Sequence, residues 1–389
     1  MTYTPPSVQY CATLNGTYTV LSGVQSVNIN RGRKIATDPF IGSSCVIEII
    51  PPATFTVELA VGQFIDVRQT NSATADAYFC GRITDIERTY EMPYNTVTGA
   101  APGDRIVITC SGPTGQLAAT QLNDYLVTGV AGGQQSSTTQ LANISTDNGF
   151  ASANINVYDK TPQTFTYTGG AFDLFNQIAR NVQAYIDDLD LQRTPFGGFS
   201  SAIGFFAPNY QVSTSVTDVF PGNAGSHFMG LQFLSSTEQA FNEILVTASG
   251  RATQVVLAAS GPYNTLNYST TLDRESDMLD LAQYLFTFNQ QTTAVPATIT
   301  LSSTENTQIN RFAEIKTFTT TSNNFLMLGS RVNIDFRGQT YVGQLQGIQT
   351  SYYIDQSRQT LYFSANLGQP FTLDDAQFGV LDTSRLGYV

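Results

Sequence analysis

Few residues in this sequence have the type and spacing that chemistry requires. A single histidine, His227, lies in Asn223-Ala224-Gly225-Ser226-His227-Phe228. A Ser/His/Asp or Cys/His mechanism has to use it, yet Ser226 is its chain neighbour and not a nucleophile opposed across a cleft. No Gly-x-Ser-x-Gly elbow is present, so a plain loop imidazole is the expectation. One histidine also falls short of the ligand count of a His-based zinc site. Carboxylates come in two groups: Asp187, Asp188 and Asp190, and Asp374 with Asp375. Paired carboxylates can hydrolyse a glycosidic bond when one donates a proton and the other acts as base or nucleophile. The first group ends an amphipathic helical pattern, where a solvated acidic turn is expected. It lacks the alternating Asp/Asn and central Gly of a calcium loop. No Gly-rich phosphate cradle follows a strand. No cofactor or metal is therefore expected.

The elements that must hold these residues are mostly strands. Val24-Gln25-Ser26-Val27-Asn28-Ile29 alternates apolar and polar residues, as a half-buried strand does. Arg31-Gly32-Arg33-Lys34 breaks that run and reads as a solvated strand corner near a carboxylate. Phe40-Ile41-Gly42 and Ser44–Ile50 follow, stopped by Pro51-Pro52. Gln116–Leu122 reads as one short helix, and Gly132–Thr139 as an exposed loop.

Three further helices are expected in the middle. Phe172, Phe175, Ile178, Ala179, Val182, Tyr185, Ile186 and Leu189 form one apolar helical face. Ser236-Thr237-Glu238-Gln239 is a capping-box pattern before Phe241, Ile244, Leu245 and Ala248, with Gly250 as the stop. Asp273 is the N-cap expected for a third helix that buries Met278, Leu281, Ala282 and Leu285 and ends near Asn289. Gln254–Ala258 and Ala297–Leu301 read as strands.

The 389 residues suffice for two to four compact units. Only 12% are charged against 41% hydrophobic, a balance that favours β-rich, tightly assembled proteins over long solvated helices. With 30 acidic and 18 basic residues the net charge is −12, which argues against a surface that grips nucleic acid. A surface past which DNA slides without sticking remains compatible with it. The start, Met1–Pro6, has no basic or apolar leader region, so no secretory signal is expected. No apolar run approaches the ~20 residues of a membrane helix. Cys11, Cys45, Cys80 and Cys110 lack zinc-site spacing. The last three fall in strand-like runs and read as buried thiols.

One stretch occurs twice. Gly62–Val67 is followed by Tyr78–Tyr90, and Gly329–Ile334 by Thr340–Tyr352. With Gly81 placed on Gly343, Phe79 meets Tyr341, Ile83 meets Leu345, Ile86 meets Ile348 and Tyr90 meets Tyr352. A strand-like run trails each copy, Arg105–Ser111 and Gln359–Ala365. Each end of the chain is therefore expected to build a small β-barrel or sandwich of one design.

The opening order is a strand into Arg31-Gly32-Arg33, then Phe40-x-Gly42, the Gly62 strand, and Tyr78-Phe79-Cys80-Gly81-Arg82-Ile83. It resembles the first domain of the minor tail proteins of long-tailed (siphovirus) phages, the tail-tip or baseplate hub, also called tail-associated proteins. The closing run Phe371–Tyr388 is similar to the same family. The resemblance implies a non-enzymatic virion protein made in the host cytoplasm and placed at the distal end of the tail. Its fold would be mainly β with a few helices, two similar tube-like β-barrel domains flanking a mixed α/β middle region. The corresponding boundaries are 1–115, a linker or insertion at 116–165, a middle hub region at 166–302, and 303–389.

The resemblance further implies a homotrimer in which two tube-like domains per chain let a threefold object dock on a sixfold tail tube. Implied partners are the distal tail protein or tail-tube ring, the tape-measure protein, other tip or receptor-binding proteins, and double-stranded DNA in transit only. Arg31, Gly32, Arg33, Gly81, Arg82, Gly343, Asp374, Asp375, Phe378, Gly379, Leu386, Gly387 and Tyr388 are then assembly signatures and not catalytic groups. Family members often continue into fibres or hydrolase modules. This chain stops at Val389, so none is expected. The alternatives are a carbohydrate- or receptor-binding tail module, to which the 19 tyrosines would be suited, and a carboxylate-dependent cell-wall hydrolase.

Overall fold

A computed structural model describes residues 4–12, 17–35, 38–52, 55–68, 77–90, 104–127, 136–155, 159–190, 201–206, 214–217, 230–234, 241–258, 264–289, 295–302, 328–329, 331–336 and 339–365. The chain opens with β1 (Ser7–Cys11), β2 (Thr19–Val20), β3 (Val24–Gly32), β4 (Ile41–Ile49), β5 (Phe64–Arg68), β6 (Ala77–Thr89) and β7 (Arg105–Ser111). A mixed segment follows: α1 (Pro113–Ala118), β8 (Gln121–Val127), α2 (Ser137–Asp147), β9 (Ala151–Ile155), β10 (Phe165–Gly170), α3 (Ala171–Asn181), β11 (Tyr185–Asp190) and β12 (Ser201–Phe206). Next come β13 (Thr214–Thr217), β14 (Gly230–Leu234), β15 (Glu243–Thr247), β16 (Gln254–Leu257), β17 (Thr265–Ser269) and α4 (Glu275–Asn289). The chain returns to strands with β18 (Val295–Ser302), β19 (Arg331–Phe336), β20 (Gln339–Tyr353) and β21 (Ser357–Ala365). The protein is mainly β with a few short helices.

The repeated stretch folds twice in the same way, and the repeat is larger than the sequence alone suggests. One sheet of 13 strands runs β14-β18-β21-β20-β3-β4-β7-β6-β5-β1-β2, with β19 paired to β20 and β13 to β19. It contains two blocks of five antiparallel strands in equivalent order, β3-β4-β7-β6-β5 and β14-β18-β21-β20-β19. Registers agree residue by residue: Ile65 faces Gly81 as Val332 faces Gly343, and Ile86 faces Ile108 as Ile348 faces Leu361. Each long strand carries a bulge at the matching point, between Ile83 and Asp85 in β6 and between Leu345 and Gly347 in β20. A bulge adds one residue to one strand, so its recurrence fixes both register and bend. The turn before each block's last-placed edge strand also recurs. Gly62 and Gly329 have φ of +89° and +84°, and each donates its N–H to the carbonyl of Ile83 or Leu345 at 2.8 Å.

The blocks join through β20. Its first half pairs with β19 and its second half, Gly347–Tyr353, pairs with β3 on the same edge, while β21 covers the other edge. Among the described residues neither block closes on itself into a barrel; the two continue into one sheet.

Among the described residues three apolar clusters hold the chain. The first packs Val27, Ile47, Ile65, Phe79, Ile83 and Ile108 inside the N-terminal block. A second joins the mixed segment to the C-terminal block, uniting Leu174, Phe175, Ile178 and Phe205 with Ile299, Val332, Leu345 and Leu361. The third is small and sits between α4 and the β16-β15-β17 sheet, around Ile244, Val246, Met278 and Leu281.

Several helices differ from expectation. Ser236–Gln239 lie outside the described residues, and where the helix after them is expected Glu243–Thr247 is strand β15, paired to β16 and β17. Its alternating burial, with Ile244 and Val246 inside, overrides the helical spacing of Phe241, Ile244, Leu245 and Ala248. The first middle helix stops at Asn181, and Tyr185–Asp190 is strand β11. Gln183 takes a left-handed φ of +58°, which ends the helix. Tyr185 and Ile186 keep helical spacing from α3 by accident, because β11 is buried on both faces from Tyr185 through Asp188.

The short helix near Gln116 starts earlier, at Pro113, and Leu122 belongs to β8. Ser136–Thr139, read as loop, instead begins α2, where the Ser136 side chain accepts from the Thr139 N–H and Leu141 and Ile144 are buried. The helix after Asp273 and the strands near 254–258 and 297–301 are where the sequence places them. All four cysteines are buried thiols; Cys45 and Cys110 face each other across β4 and β7, and burial pushes both thiols up.

Candidate functional site: a buried charged seam

The chemistry-bearing residues that the structure brings together are Arg31, Arg33, Asp187 and Asp188. Arg31 leaves β3 at the seam between the blocks and donates Nη1 to Asp187 Oδ2 at 3.1 Å and to Oδ1 at 3.3 Å. Both side chains are almost completely buried. Arg33 donates Nε to Gln346 Oε1 at 2.8 Å and Nη1 to the Asp38 carbonyl at 3.1 Å. Its guanidinium lies 4.3 Å from the Phe40 ring centre and 5.3 Å from that of Tyr185, a cation–π arrangement strengthened by burial. At Arg31 and Arg33 the basic corner is therefore buried and not solvated, while Lys34 is exposed. A carboxylate is nearby, as the sequence suggests, but the ion pair is inside.

Gly32 makes the corner possible. Its φ is +86°, and a Cβ there would strike the Gln346 carbonyl oxygen and sit 2.7 Å from Gly347 Cα. Close backbone approach of β3 to β20 needs hydrogen at this position. Gln346 then completes the seam, donating Nε2 to the Tyr185 hydroxyl at 2.8 Å and to Ser364 Oγ at 2.7 Å. An open groove of about 370 Å³ runs over it, lined in part by Asn30, Lys34, Ile41, Gln349 and Tyr362.

Asp188 points to other partners. Its Oδ1 accepts the Thr114 N–H at 2.9 Å, and its Oδ2 accepts the Ser43 hydroxyl. Burial pushes the Asp188 carboxyl up to about 6, against the donors Ser43 and Thr114. For Asp187 burial also wins, pushing the carboxyl up despite the Arg31 guanidinium. The solvated acidic turn is thus corrected: Asp187 and Asp188 are strand residues with 3% and 2% exposure. They do not flank a cleft, and protein donors occupy each, so at these two positions the geometry is that of a structural clamp and not of a sugar-cleaving pair. Among the described residues no group of three or more His, Cys, Asp or Glu is arranged to hold a metal ion.

The other signature residues separate cleanly. Gly81 and Gly343 occupy equivalent places in β6 and β20, and each is crossed by an aromatic ring. A Cβ would lie 2.6 Å from Phe79 Cζ in the first and 2.9 Å from Phe363 Cδ1 in the second. Arg82 is exposed on the sheet, its guanidinium 4.7 Å from the Phe64 ring centre. His227 and the closing run with Asp374, Asp375, Phe378, Gly379, Leu386, Gly387 and Tyr388 lie outside the described residues. Ser43, Thr114 and Gln346 are not singled out by the sequence, which marks Tyr185 only as part of an apolar helical face. A neutral amide inside a strand pattern is the one signal that marks Gln346, which like Gln344 is fully buried.

No family model and no curated protein matches the sequence. Solved structures do match. A tail protein from Neisseria meningitidis MC58 superposes with a TM-score of 0.60 at 12% identity, covering 94% of this chain and 97% of its own. The 43 kDa tail protein of prophage MuSo2 from Shewanella oneidensis gives 0.58 at 12% identity, covering 93% and 97%. The chain has the phage tail-protein fold. A third structure with this fold is an Escherichia coli component of the type VI secretion system, described as structurally similar to tail proteins of bacteriophage T4. It gives a TM-score of 0.52 at 10% identity over 89% of this chain and 74% of its own. The charged seam sits where β3, β11 and β20 meet.

Proposed function

We propose that this chain is a structural virion protein that forms the hub at the distal end of a phage tail, as a homotrimer. One observation carries the reading: two five-stranded blocks share order, register and bulge inside a chain with the tail-protein fold. Three chains then present six like blocks, which is what a threefold adaptor on a sixfold tube requires. The net charge of −12 suits a channel through which DNA and the tape-measure protein pass without adhering. The buried seam has a mechanical role in this reading. It locks β3, β11 and β20 together by charge, amide and aromatic contacts, so the angle between the blocks is set before assembly. Partners are further copies of the chain, the distal tail protein or tail-tube ring, and the tip proteins.

The test is copy number and symmetry. Native mass spectrometry of the purified chain and averaged electron micrographs of the tail end should give three copies in a ring. A single copy per tail, glycan binding by a monomer, or lysis of cell walls by the chain alone would each overturn the hub.

A further inference from the structure

The seam holds one positive charge that no carboxylate matches. Arg31 is balanced by Asp187. Arg33 is 7% exposed, and its guanidinium meets Gln346, the Asp38 carbonyl and the rings of Phe40 and Tyr185, none of them an anion. Dipoles and ring faces offset only part of what a cation loses on leaving water, so a buried one is ordinarily paired with a carboxylate. Lys34 adds a second positive charge. It is exposed, and among the described residues its one contact is with the ring of Tyr362, 5.9 Å from the ring centre. Both residues line the open groove over the seam. On a chain of net charge −12 that groove is a cationic spot.

The rest of the groove is made of neutral groups that both give and take hydrogen bonds. Ser44, Asn30 and Gln349 stand abreast on β4, β3 and β20, with Asn30 facing Ser44 on one side and Gln349 on the other. Neighbouring strands lie about 4.8 Å apart, so the three make a row roughly 10 Å long. Gln349 Oε1 accepts the Tyr362 hydroxyl at 3.0 Å, which leaves its Nε2 to donate. Among the described residues no protein group takes up the Asn30 carboxamide or the Ser44 hydroxyl. Ile41, 63% exposed, supplies an apolar wall.

We propose that this groove binds an acidic, extended segment of a partner protein. One carboxylate meets Lys34, peptide groups run along the row of Ser44, Asn30 and Gln349, and an aliphatic side chain packs on Ile41. Carboxamides complement peptide N–H and C=O groups, and an ammonium complements a carboxylate. A nucleic-acid strand fits poorly. Lys34 is the one exposed cation among the lining residues, and a run of phosphates would meet the repulsion of the whole acidic chain. A sugar ring fits poorly as well, because Lys34 lies over the ring of Tyr362 and Gln349 takes its hydroxyl. The contact needs only a single chain and does not rest on the trimer.

Fluorescence anisotropy with a labelled heptapeptide, Ser-Leu-Ser-Glu-Ser-Leu-Ser, tests this. In extended form the peptide carries its Glu and both Leu on one face. It should bind the native chain, and the same peptide with Gln in place of Glu should bind about tenfold more weakly. Lys34→Glu should abolish binding and Lys34→Arg should keep most of it. Asn30→Ala combined with Gln349→Ala should weaken it by about tenfold. None of these side chains is buried, so the circular dichroism of the variants should match that of the native chain. Arg358→Gln removes an exposed charge outside the groove and should leave the affinity unchanged. Failure of the Glu peptide to bind, unchanged binding in Lys34→Glu, or a loss in Arg358→Gln equal to that in Lys34→Glu overturns the proposal. Tighter binding of a short DNA duplex or of a galacturonic acid disaccharide, lost in Lys34→Glu, puts another class of ligand in the groove and overturns it too.

Discussion

Tyr78 and Tyr352 lie stacked across the boundary between the two blocks, ring centres 5.2 Å apart and planes 11° from parallel. Tyr78 belongs to the N-terminal block and Tyr352 to the shared strand of the other, so the stack couples the blocks at one end of the seam. Tyr352→Ala should destabilise the monomer by about 3–5 kcal/mol, as loss of a buried large aromatic does. Tyr90→Ala, at the equivalent but exposed place, should change monomer stability by no more than about 0.5 kcal/mol. Urea denaturation of the two variants side by side checks the contrast.

The Arg31–Asp187 pair is buried with its hydrogen bonds made. Removing either partner strands a charge in the interior, so Arg31→Ala or Asp187→Ala should cost about 3–5 kcal/mol. Arg31→Met combined with Asp187→Leu should recover most of that loss. A double-mutant cycle measured by chemical denaturation gives the coupling directly.

Asp188 makes stability depend on pH. Its carboxyl is raised from 3.8 to about 6 in the folded chain, so folding favours the protonated form. The stabilisation is full below about pH 4 and is lost as pH rises through about 6, on the order of 3 kcal/mol. Asp188→Asn keeps an acceptor for the Thr114 N–H and should flatten the curve across that window. Thermal or urea midpoints collected from pH 4 to pH 7 distinguish the two proteins.

Glycines with left-handed φ should separate into two classes on replacement by alanine. At Gly62 nothing lies within 4 Å of a new Cβ, so only the backbone preference is lost, about 1–2 kcal/mol. At Gly329 the Cβ would sit 2.7 Å from Tyr185 Cγ, and at Gly32 it would meet the β20 backbone. Gly329→Ala and Gly32→Ala should each be more destabilising than Gly62→Ala by at least about 1 kcal/mol. Differential scanning calorimetry of the three variants orders them.

Much of the architecture was legible because strands write their pattern locally. Gly81 and Gly343, with alternating apolar neighbours, are enough to align β6 with β20, whereas the bulges after Ile83 and Leu345 emerge only from the pairing. The fourth and fifth strands of the repeat were not, because β18 and β14 share no motif with β4 and β3; only pairing reveals them. Helix ends were misread where burial on both faces imitates a helical stripe, as at Tyr185 and Ile186, and where tertiary pairing outweighs spacing, as at Ile244. The seam was half visible. Arg31, Gly32 and Arg33 stood out as a cluster and Asp187 and Asp188 as another, but nothing in the order of residues says that positions 156 apart form an ion pair. Such long-range pairing is decided by how sheets pack, and a single sequence records it only through its result.

The 15-residue strand β20 is held in common by both blocks, seven of its residues paired to β3 and six to β19. Among the described residues no hinge separates the two blocks along this strand. Bending one block against the other means stripping a whole ladder of backbone bonds and prising a sealed ion pair into water. Force applied to one block therefore reaches the other through the shared strand itself.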